Sequence, residues 1–309
     1  MIYCTASMAR EPTFPNFRPI RLEDRDVLHN AFFSYQPETS ELTFTTCFIW
    51  RTFYHFSWCW LGDTIVFLCK PLRGALHAME PIGPAPRTEV VRTLLRWLRE
   101  EKGVTSPSVE RADSRLAAEV AQAPDLTVLP VREHFDYLYS TADLISLPGR
   151  KYHAKRTHIR KFLSGASYAY ARLDRTLLAG CLNLADRWCR HRRCEEDMGL
   201  TEERGAVLEA IRHFEELHIE GGAILVRDRV EAFAMGELLN EQTAVIHVEK
   251  ANPEMPGLYP LINQTFAREC WKATQFINRE EDLGDEGLRK AKMSYHPCRL
   301  VEKFRITLT

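Results

Sequence analysis

Near the C-terminus, carboxylates crowd one stretch and cations follow them. Residues 276–297 read FINREEDLGDEGLRKAKMSYHP, with Arg279, Glu280, Glu281, Asp282, Asp285 and Glu286 preceding Arg289, Lys290 and Lys292. A carboxylate can take a proton from an attacking amine or hydroxyl, and a lysine or arginine can hold an anionic leaving group. The apolar run 274–277 has strand character, a polar loop spans 278–287, and a helix begins near Asp285 and stops before Pro297. Asn278 then ends a strand. Glu280 and Asp282 alternate, so an extended loop would put both on one face. Along the helix, Arg289, Lys292 and His296 share one side, and Leu288, Ala291 and Tyr295 another. A solvated loop and helix would have a similar composition, so the position of these groups in the fold decides their meaning.

Two further segments carry chemistry. Residues 150–161 hold Arg150, Lys151, Lys155, Arg156, Arg160 and Lys161 with no acid among them. On a helix, Lys151 and Lys155, like Arg156 and Arg160, stack one turn apart, which is unfavourable unless an anion lies across them. Phosphate is the natural anion, from a tRNA acceptor end, a coenzyme A or a lipid head group. A solvated basic helix paired with acids elsewhere is the plainer reading. The other segment, 247–257, reads HVEKANPEMPG. Glu249 and Lys250 stand at a strand end, where they could hold a donor's amino group or ester.

The C-terminal stretch resembles the signature of a family related to the catalytic domain of phosphatidylglycerol lysyltransferases (lysyl-phosphatidylglycerol synthases). It carries that pattern at Asn278, Arg279, Glu280, Asp282, Leu283, Gly284, Gly287, Leu288, Arg289, Lys292, Ser294, Tyr295 and Pro297. LPGRKYHAKRTH at 147–158 is a second match, and ELTFT at 41–45 with Trp50 and Arg51 a weaker third. The resemblance implies two GCN5-related N-acyltransferase domains in tandem, with the chemistry in a central cleft that Asn278 faces. It also implies a leaving-group acid, since acetyltransferases of this fold often use a tyrosine placed like Tyr295; a core ring with a satisfied hydroxyl is the other reading. Coenzyme A-dependent members cradle pyrophosphate on a Gly-rich loop at a helix N-terminus. Residues 251–257 depart from that loop, with one glycine, two prolines that lack N–H donors, and Glu254, which repels phosphate. The tRNA-dependent aminoacyltransferases of this fold likewise lack it.

A chain of 309 residues has room for two domains of roughly 150 residues. It is 45% hydrophobic and 27% charged with a net charge of −1, so any nucleic-acid contact must come from a local patch. Nine scattered cysteines favour free thiols in a reducing cytosol. Cys189 and Cys194, with His191 between them, have poor zinc spacing within a helix, so no metal is expected. The N-terminus lacks the pattern of a signal peptide. The apolar stretch 44–69 is interrupted by Arg51, His55 and Asp63, so it reads as core and hairpin and not as a membrane span. The embedded part of full-length lysyl-phosphatidylglycerol synthases is thus expected to be missing.

Hydrophobic periodicity gives strands at 17–22, 54–61, 64–70, 77–81, 108–111 and 127–132, with helices at 23–33, 41–51 (capped by Ser40), 88–100 and 114–121. The order recurs with strands at 168–173, 223–227, 230–239, 244–249, 274–277 and 301–307. Its helices run from Asp174 to about 193, from a Thr201 cap to about 219, and from 258 to about 272. The fold class is therefore α/β with mixed sheets: an N-terminal, structural domain over 1–145 and a C-terminal domain with the site over 146–309. Helix 151–163 would bridge them.

The leading expectation is a cytoplasmic transferase, peripheral at the inner membrane face, with no tightly bound cofactor. It would move an aminoacyl group from aminoacyl-tRNA to an amine or hydroxyl of a lipid head group, small molecule or peptide. Glu280 or Asp282 would be the base, Tyr295 the acid and Asn278 part of the catalytic group. Lys151, Lys155, Arg156, Arg160, Arg279, Arg289 and Lys292 would bind phosphate or the leaving oxyanion, with Glu249 and Lys250 on the donor. Acyl-coenzyme A is the alternative donor, and a non-catalytic module for nucleic acid or anionic lipid is the alternative class.

Overall fold

The computed structural model describes residues 11–309. The signal-peptide reading and Cys4 fall in residues 1–10, outside the described residues. The first stretch of the chain gives β1 (Arg18–Pro19), α1 (Arg25–Tyr35), α2 (Phe44–Ile49), α3 (Arg51–Tyr54), β2 (Ser57–Leu61), β3 (Thr64–Cys69), β4 (His77–Met79), α4 (Thr88–Glu100), β5 (Ser108–Ala112), α5 (Ser114–Val120) and β6 (Leu126–Pro130). Then come β7 (Asp136–Ser140), α6 (Thr141–Ser146), α7 (His153–Gly165), β8 (Ala169–Arg172), α8 (Arg175–Arg192), α9 (Met198–Arg212) and α10 (Phe214–Leu217). The chain closes with β9 (Glu220–Val226), β10 (Arg229–Asn240), β11 (Thr243–Ala251), α11 (Leu258–Cys270), β12 (Phe276–Asn278), α12 (Glu286–Met293), β13 (Arg299–Val301) and β14 (Phe304–Leu308). Among the described residues no helix is long and apolar enough to cross a membrane.

These elements form two compact units, neither of them continuous in sequence. Unit 1 takes the described part of residues 1–21, then Phe53–Leu129 and Phe304–Thr309; unit 2 takes Leu22–Thr52 and Pro130–Lys303. The expected boundary at 145/146 therefore falls inside α6, well within unit 2. The expected bridge, α7, also lies wholly in unit 2. The segment that carries α1 and α2 joins unit 2, where its polar groups are satisfied: Ser40, between the two helices, donates its N–H and Oγ to Asp136 on β7 (2.8 and 3.0 Å), and Arg51, just after α2, pairs with Glu209 on α9 (2.6 Å). Ser40 is thus not the cap of α2; Thr43 is, accepting from the Thr46 N–H. Asp197, not Thr201, caps α9, while Asp174 caps α8 as expected.

Unit 1 is built on a seven-stranded sheet ordered β1-β2-β3-β4-β5-β14-β6, with β4 and β5 parallel. Gly62 turns the β2–β3 hairpin at φ +60°. The stripe Val91, Leu94, Leu95 and Leu98 of α4 is fully buried against Val66, Leu68, Val109 and Ile306. Each such side chain contributes about 1.5–3 kcal/mol, enough to outweigh the cost of starting a short helix.

Unit 2 has its own seven-stranded sheet, ordered β13-β7-β12-β11-β10-β9-β8. Its core packs α11 (Leu261, Ile262, Phe266) on Ile224, Ala232, Ala234 and Ile246. The single expected strand at 301–307 is two: β13 pairs with β7 in unit 2, and β14 pairs with β5 in unit 1. Strand β7 was passed over in the sequence although Tyr137 and Tyr139 alternate through it. The thiol expectation also needs correction, because Cys189 and Cys194 form a disulfide; Cys47, Cys59, Cys69, Cys181, Cys270 and Cys298 are free.

Candidate active site

In unit 2 the parallel pair β11–β12 is short. Thr243, Ala244 and Val245 face Phe276, Ile277 and Asn278, and there the pairing ends. Strand β11 runs on beside β10 to Ala251, while Arg279 and Glu280 stay with β7, exchanging backbone hydrogen bonds with Tyr137. The sheet opens between these two rims. The register shift between β10 and β11 skips His247, so His247 turns to the Glu237 side of the sheet and Glu249 to the α11 side, and each looks across at the 278–282 loop.

Two ion pairs cross the gap. His247 Nδ1 lies 3.1 Å from Glu280 Oε1, and Arg279 Nη2 lies 2.9 Å from Glu249 Oε1. Glu249 also accepts from Asn263 Nδ2 on α11 (2.9 Å). Beside these pairs two polar atoms are unused: Arg279 Nη1 and Asn263 Oδ1 are buried with no hydrogen-bond partner among the described residues. The Tyr295 ring packs against the Arg279 guanidinium at 4.8 Å and the Lys155 ammonium at 3.8 Å. Burial pushes the Tyr295 hydroxyl up, out of the ordinary phenol range, despite the neighbouring Arg279. Burial, followed by Arg279, brings Lys155 down to about 8.

The two carboxylates expected to share one role are separated. The loop is not extended: Glu280 has φ +57° and Leu283 φ +50°. Asp282 is fully buried, and each of its oxygens is taken. Oδ1 accepts from Gly284 N–H (2.9 Å) and Arg289 Nη2 (3.0 Å); Oδ2 accepts from Tyr137 Oη (2.5 Å) and Arg289 Nε (2.8 Å). Despite the burial, these bonds hold its pKa far below the carboxylate range. Asp282 is therefore a staple joining loop, β7 and α12, and not a base. Arg289 is consumed by the same pair.

Glu280 is held differently. Its N–H donates to Asn278 Oδ1 (2.7 Å), and its carbonyl accepts from Tyr137 N–H and Lys292 Nζ. With Oε1 on His247, only Oε2 is without a partner among the described residues, and the side chain is 26% exposed. Asn278 does not face the gap; it is fully buried, donating to Asp136 Oδ2 (3.0 Å) and the Glu38 carbonyl. Lys292 is not an anion holder either. Its Nζ donates to the carbonyls of Arg279 (2.6 Å), Glu280 (3.1 Å) and Glu281 (2.5 Å), which uses all three of its hydrogens. Burial lowers it to about 8.

The basic segment is only partly an anion site. A 3₁₀ turn at Arg150–Tyr152 precedes α7. Lys151 pairs with Asp143, Arg156 donates to the Leu147 and Gly149 carbonyls that end α6, and Arg160 bonds the Arg156 carbonyl. Lys155 alone reaches the Arg279 group, bonding Ser294 Oγ (2.7 Å). Lys250 sits on the other face of β11 from Glu249. It is buried over the Trp188 ring (3.4 Å) and bonded to Glu203 (2.7 Å), so the two do not share a donor.

In the loop 251–257 most backbone N–H groups are engaged or missing. Asn252 N–H bonds the Glu231 carbonyl, Glu254 N–H bonds Asn252 Oδ1, and Met255 and Leu258 N–H bond carbonyls within the turn. Positions 253 and 256 are prolines. A Cβ on Gly257 (φ +103°) would lie 2.5 Å from the His158 carbonyl, so α7 packs onto the start of α11.

Sequence reasoning missed His247, Glu237, Asn263 and the β7 tyrosines. Charges inside otherwise apolar strands (Glu237 in β10, His247 in β11) were the available signal, because such groups are buried only with partners.

Residues 32–307 match the family model described as phosphatidylglycerol lysyltransferase, C-terminal. The chain belongs to this family. Its named reaction moves an aminoacyl group, so the chain is a member of an acyl- and aminoacyl-transferase family. Among solved structures it is similar to a conserved protein of unknown function from Bacteroides thetaiotaomicron (33% identity over 95% of this chain and 99% of that one, TM-score 0.87). It shares its fold with the C-terminal domain of a putative lysylphosphatidylglycerol synthetase from Agrobacterium fabrum (12% identity, 93% and 92% coverage, TM-score 0.61). The same holds for L-PGS from Bacillus licheniformis (14% identity, 80% and 81% coverage, TM-score 0.55). No curated protein matches the sequence significantly. The architecture is that of two GCN5-related N-acyltransferase-like α/β units in tandem.

Proposed function

We propose that the protein transfers an aminoacyl group from aminoacyl-tRNA to an amine or hydroxyl acceptor, with Glu280 as the proton shuttle. The observation that carries this is the pairing of a 251–257 loop whose N–H groups are largely engaged with an Arg279–Glu249–Asn263 group that keeps two buried polar atoms unpaired. A coenzyme A donor would need a run of free backbone N–H groups, but here positions 253 and 256 are prolines and the N–H groups of Asn252, Glu254, Met255 and Leu258 are already bonded. The aminoacyl ester needs a hydrogen-bond donor for its carbonyl and acceptors for its ammonium, and Arg279 Nη1, Asn263 Oδ1 and Glu249 have that chemistry.

In the reaction, the acceptor's nitrogen or oxygen forms a bond to the ester carbonyl carbon. Its proton passes to Glu280 Oε2. Arg279 Nη1 donates to the oxygen that gains charge. The bond from the carbonyl carbon to the ribose oxygen breaks, and Glu280 returns its proton to that oxygen, so the enzyme ends as it began. Tyr295, packed by two cations, lines the site. The exposed cations of the turn before α7 (Arg150 and Lys151) and of α7 (Arg160 and Lys161) offer phosphate contacts to the tRNA. The acceptor belongs to the lipid-head-group, small-molecule or peptide classes, with the lipid case requiring approach to a membrane surface.

The test is transfer from radiolabelled aminoacyl-tRNA to a panel of acceptors, with acetyl- and long-chain acyl-coenzyme A in parallel titrations. Transfer that Glu280→Gln abolishes supports the reading. Saturable acyl-coenzyme A binding without use of charged tRNA overturns it.

A further inference from the structure

The imidazole of His247 is 1% exposed and has a carboxylate on each side: Glu237 Oε1 at 3.0 Å from Nε2 and Glu280 Oε1 at 3.1 Å from Nδ1. A neutral imidazole has one N–H and one lone pair, so one of these carboxylates would face a lone pair inside the protein. Only the imidazolium, with two N–H donors, satisfies both. The partners come from three elements: Glu237 from β10, Glu280 from the loop after β12, and Thr46 from α2, whose Oγ1 lies 3.5 Å from Nδ1. The further charge near this set is Lys292 on α12, which bonds the Glu280 carbonyl.

Glu237 is itself fixed. It is almost fully buried beside Thr43 at the start of α2, bonds His247, and follows a register shift between β10 and β11 at Met235/Gly236. Gly236 is needed there because a Cβ would lie 2.3 Å from the Val245 carbonyl. The line Glu237–His247–Glu280 thus runs from a rigid, buried end to a partly exposed end with one free oxygen.

We propose that His247 is a positioning residue: an imidazolium, anchored by Glu237, that holds Glu280 by one carboxylate oxygen and leaves the other to work. This rests on the reading of Glu280 as the proton shuttle. It also sets a limit on that shuttle, because loss of the His247 proton would free Glu280 to turn and place a lone pair against it. Although burial opposes the charge, the bonds to Glu237 and Glu280 raise His247 to about 9, so the clamp holds through neutral pH and fails on the alkaline side.

The experiment combines imidazole NMR and transfer kinetics on the full chain, comparing wild type with His247→Gln and Glu237→Gln between about pH 6 and pH 10. The buried imidazole signal, assigned by its loss in His247→Gln, is expected to titrate near 9 and to fall towards the free-histidine value in Glu237→Gln. His247→Gln is expected to lower kcat by about 100-fold with KM changed less than about threefold, and to remove the alkaline limb of the pH profile. A wild-type imidazole titrating at the ordinary value overturns the proposal, as does unchanged kcat with the alkaline limb intact in His247→Gln. If His247→Gln does not fold, Glu237→Gln carries the same readouts. Failure of the wild type to use aminoacyl-tRNA would count against the proposed function, while the NMR arm, which needs no turnover, still decides the clamp.

Discussion

Both units open a parallel strand pair and put an arginine and a carboxylate beside the opening, yet one is plugged and the other is not. In unit 1, β4 parts from β5 and the chain runs through a proline-rich loop into α4. Arg87, at the start of α4, is 1% exposed and fully engaged: Nη1 bonds Glu80 (3.0 Å) and the Pro81 carbonyl (3.1 Å), while Nε and Nη2 bond Glu119. The second oxygen of Glu80 takes the Asp113 N–H (2.8 Å). In unit 2 the helix after the corresponding strand starts at Gly257, and the arginine comes instead from the far rim. Arg279 bonds one carboxylate and keeps a buried nitrogen unused. An arginine that completes its own partners is structure; one that leaves a buried donor unsatisfied is held ready for something else, since that vacancy costs about 1–3 kcal/mol in the free protein.

The largest effect should come from unplugging unit 1. Arg87→Ala leaves Glu80 and Glu119 without their cation and should cost about 3–5 kcal/mol, read as a fall in Tm, while donor binding by the folded protein stays as in wild type. Donor binding that falls with it would break the comparison. Next are the two carboxylates of the unit 2 loop, which should part company. Glu280→Gln should lower kcat by about 10²–10⁴-fold with Tm within about two degrees of wild type. Asp282→Asn should instead lower stability by about 2–4 kcal/mol, since the amide cannot accept all the bonds now made; melting and kinetics on both variants decide it.

A smaller effect is expected where unit 2 has glycine. Gly257→Ala meets both a positive φ and the His158 carbonyl, and should cost about 1–3 kcal/mol, measured by urea denaturation. It should not create acyl-coenzyme A binding, which calorimetry would reveal. The smallest is a pH effect. Because His247 is raised to about 9, its contribution is complete below its unfolded value of roughly 6.5 and is lost as pH rises through 9. Denaturant midpoints should therefore decline over that window in wild type and decline less in His247→Gln. Asp136 works in the same direction at lower pH. Burial, with Glu41 and Glu281 adding to it against Lys303, raises Asp136 to about 7, so some stability is lost as pH rises through neutrality.

The element order was legible because its signals are local. The apolar stripe of α4, the Gly62 hairpin and the Asp174 cap each lie within a few residues. One contiguous motif also supplied Asn278, Glu280, Asp282 and Tyr295, although Asn278 and Asp282 are buried supports and do not face the gap. What the sequence did not disclose is who answers whom across it. Asp282 and Glu280 look equivalent two positions apart, but a turn of φ at Glu280 sends one to Arg289 and the other to His247. Lys292 reads as a free cation until three carbonyls of a loop more than ten residues away in sequence are seen around it. The unit boundaries were hidden for the same reason: Ser40 looks like a helix cap and is in fact tied to Asp136 on a distant strand.

Strand β14 gives the chain an unusual timetable. The sheet of unit 1 places the final strand, Phe304–Leu308, between β5 and β6. Most of unit 1 is made before unit 2, yet its sheet has an unfilled slot until residues 304–308 have been made. Domains usually fold as they emerge, but here unit 1 must wait for a strand that is translated after the whole of unit 2. Damage to residues 304–308 should therefore be felt in the part of the fold built from residues 53–129, far away in sequence.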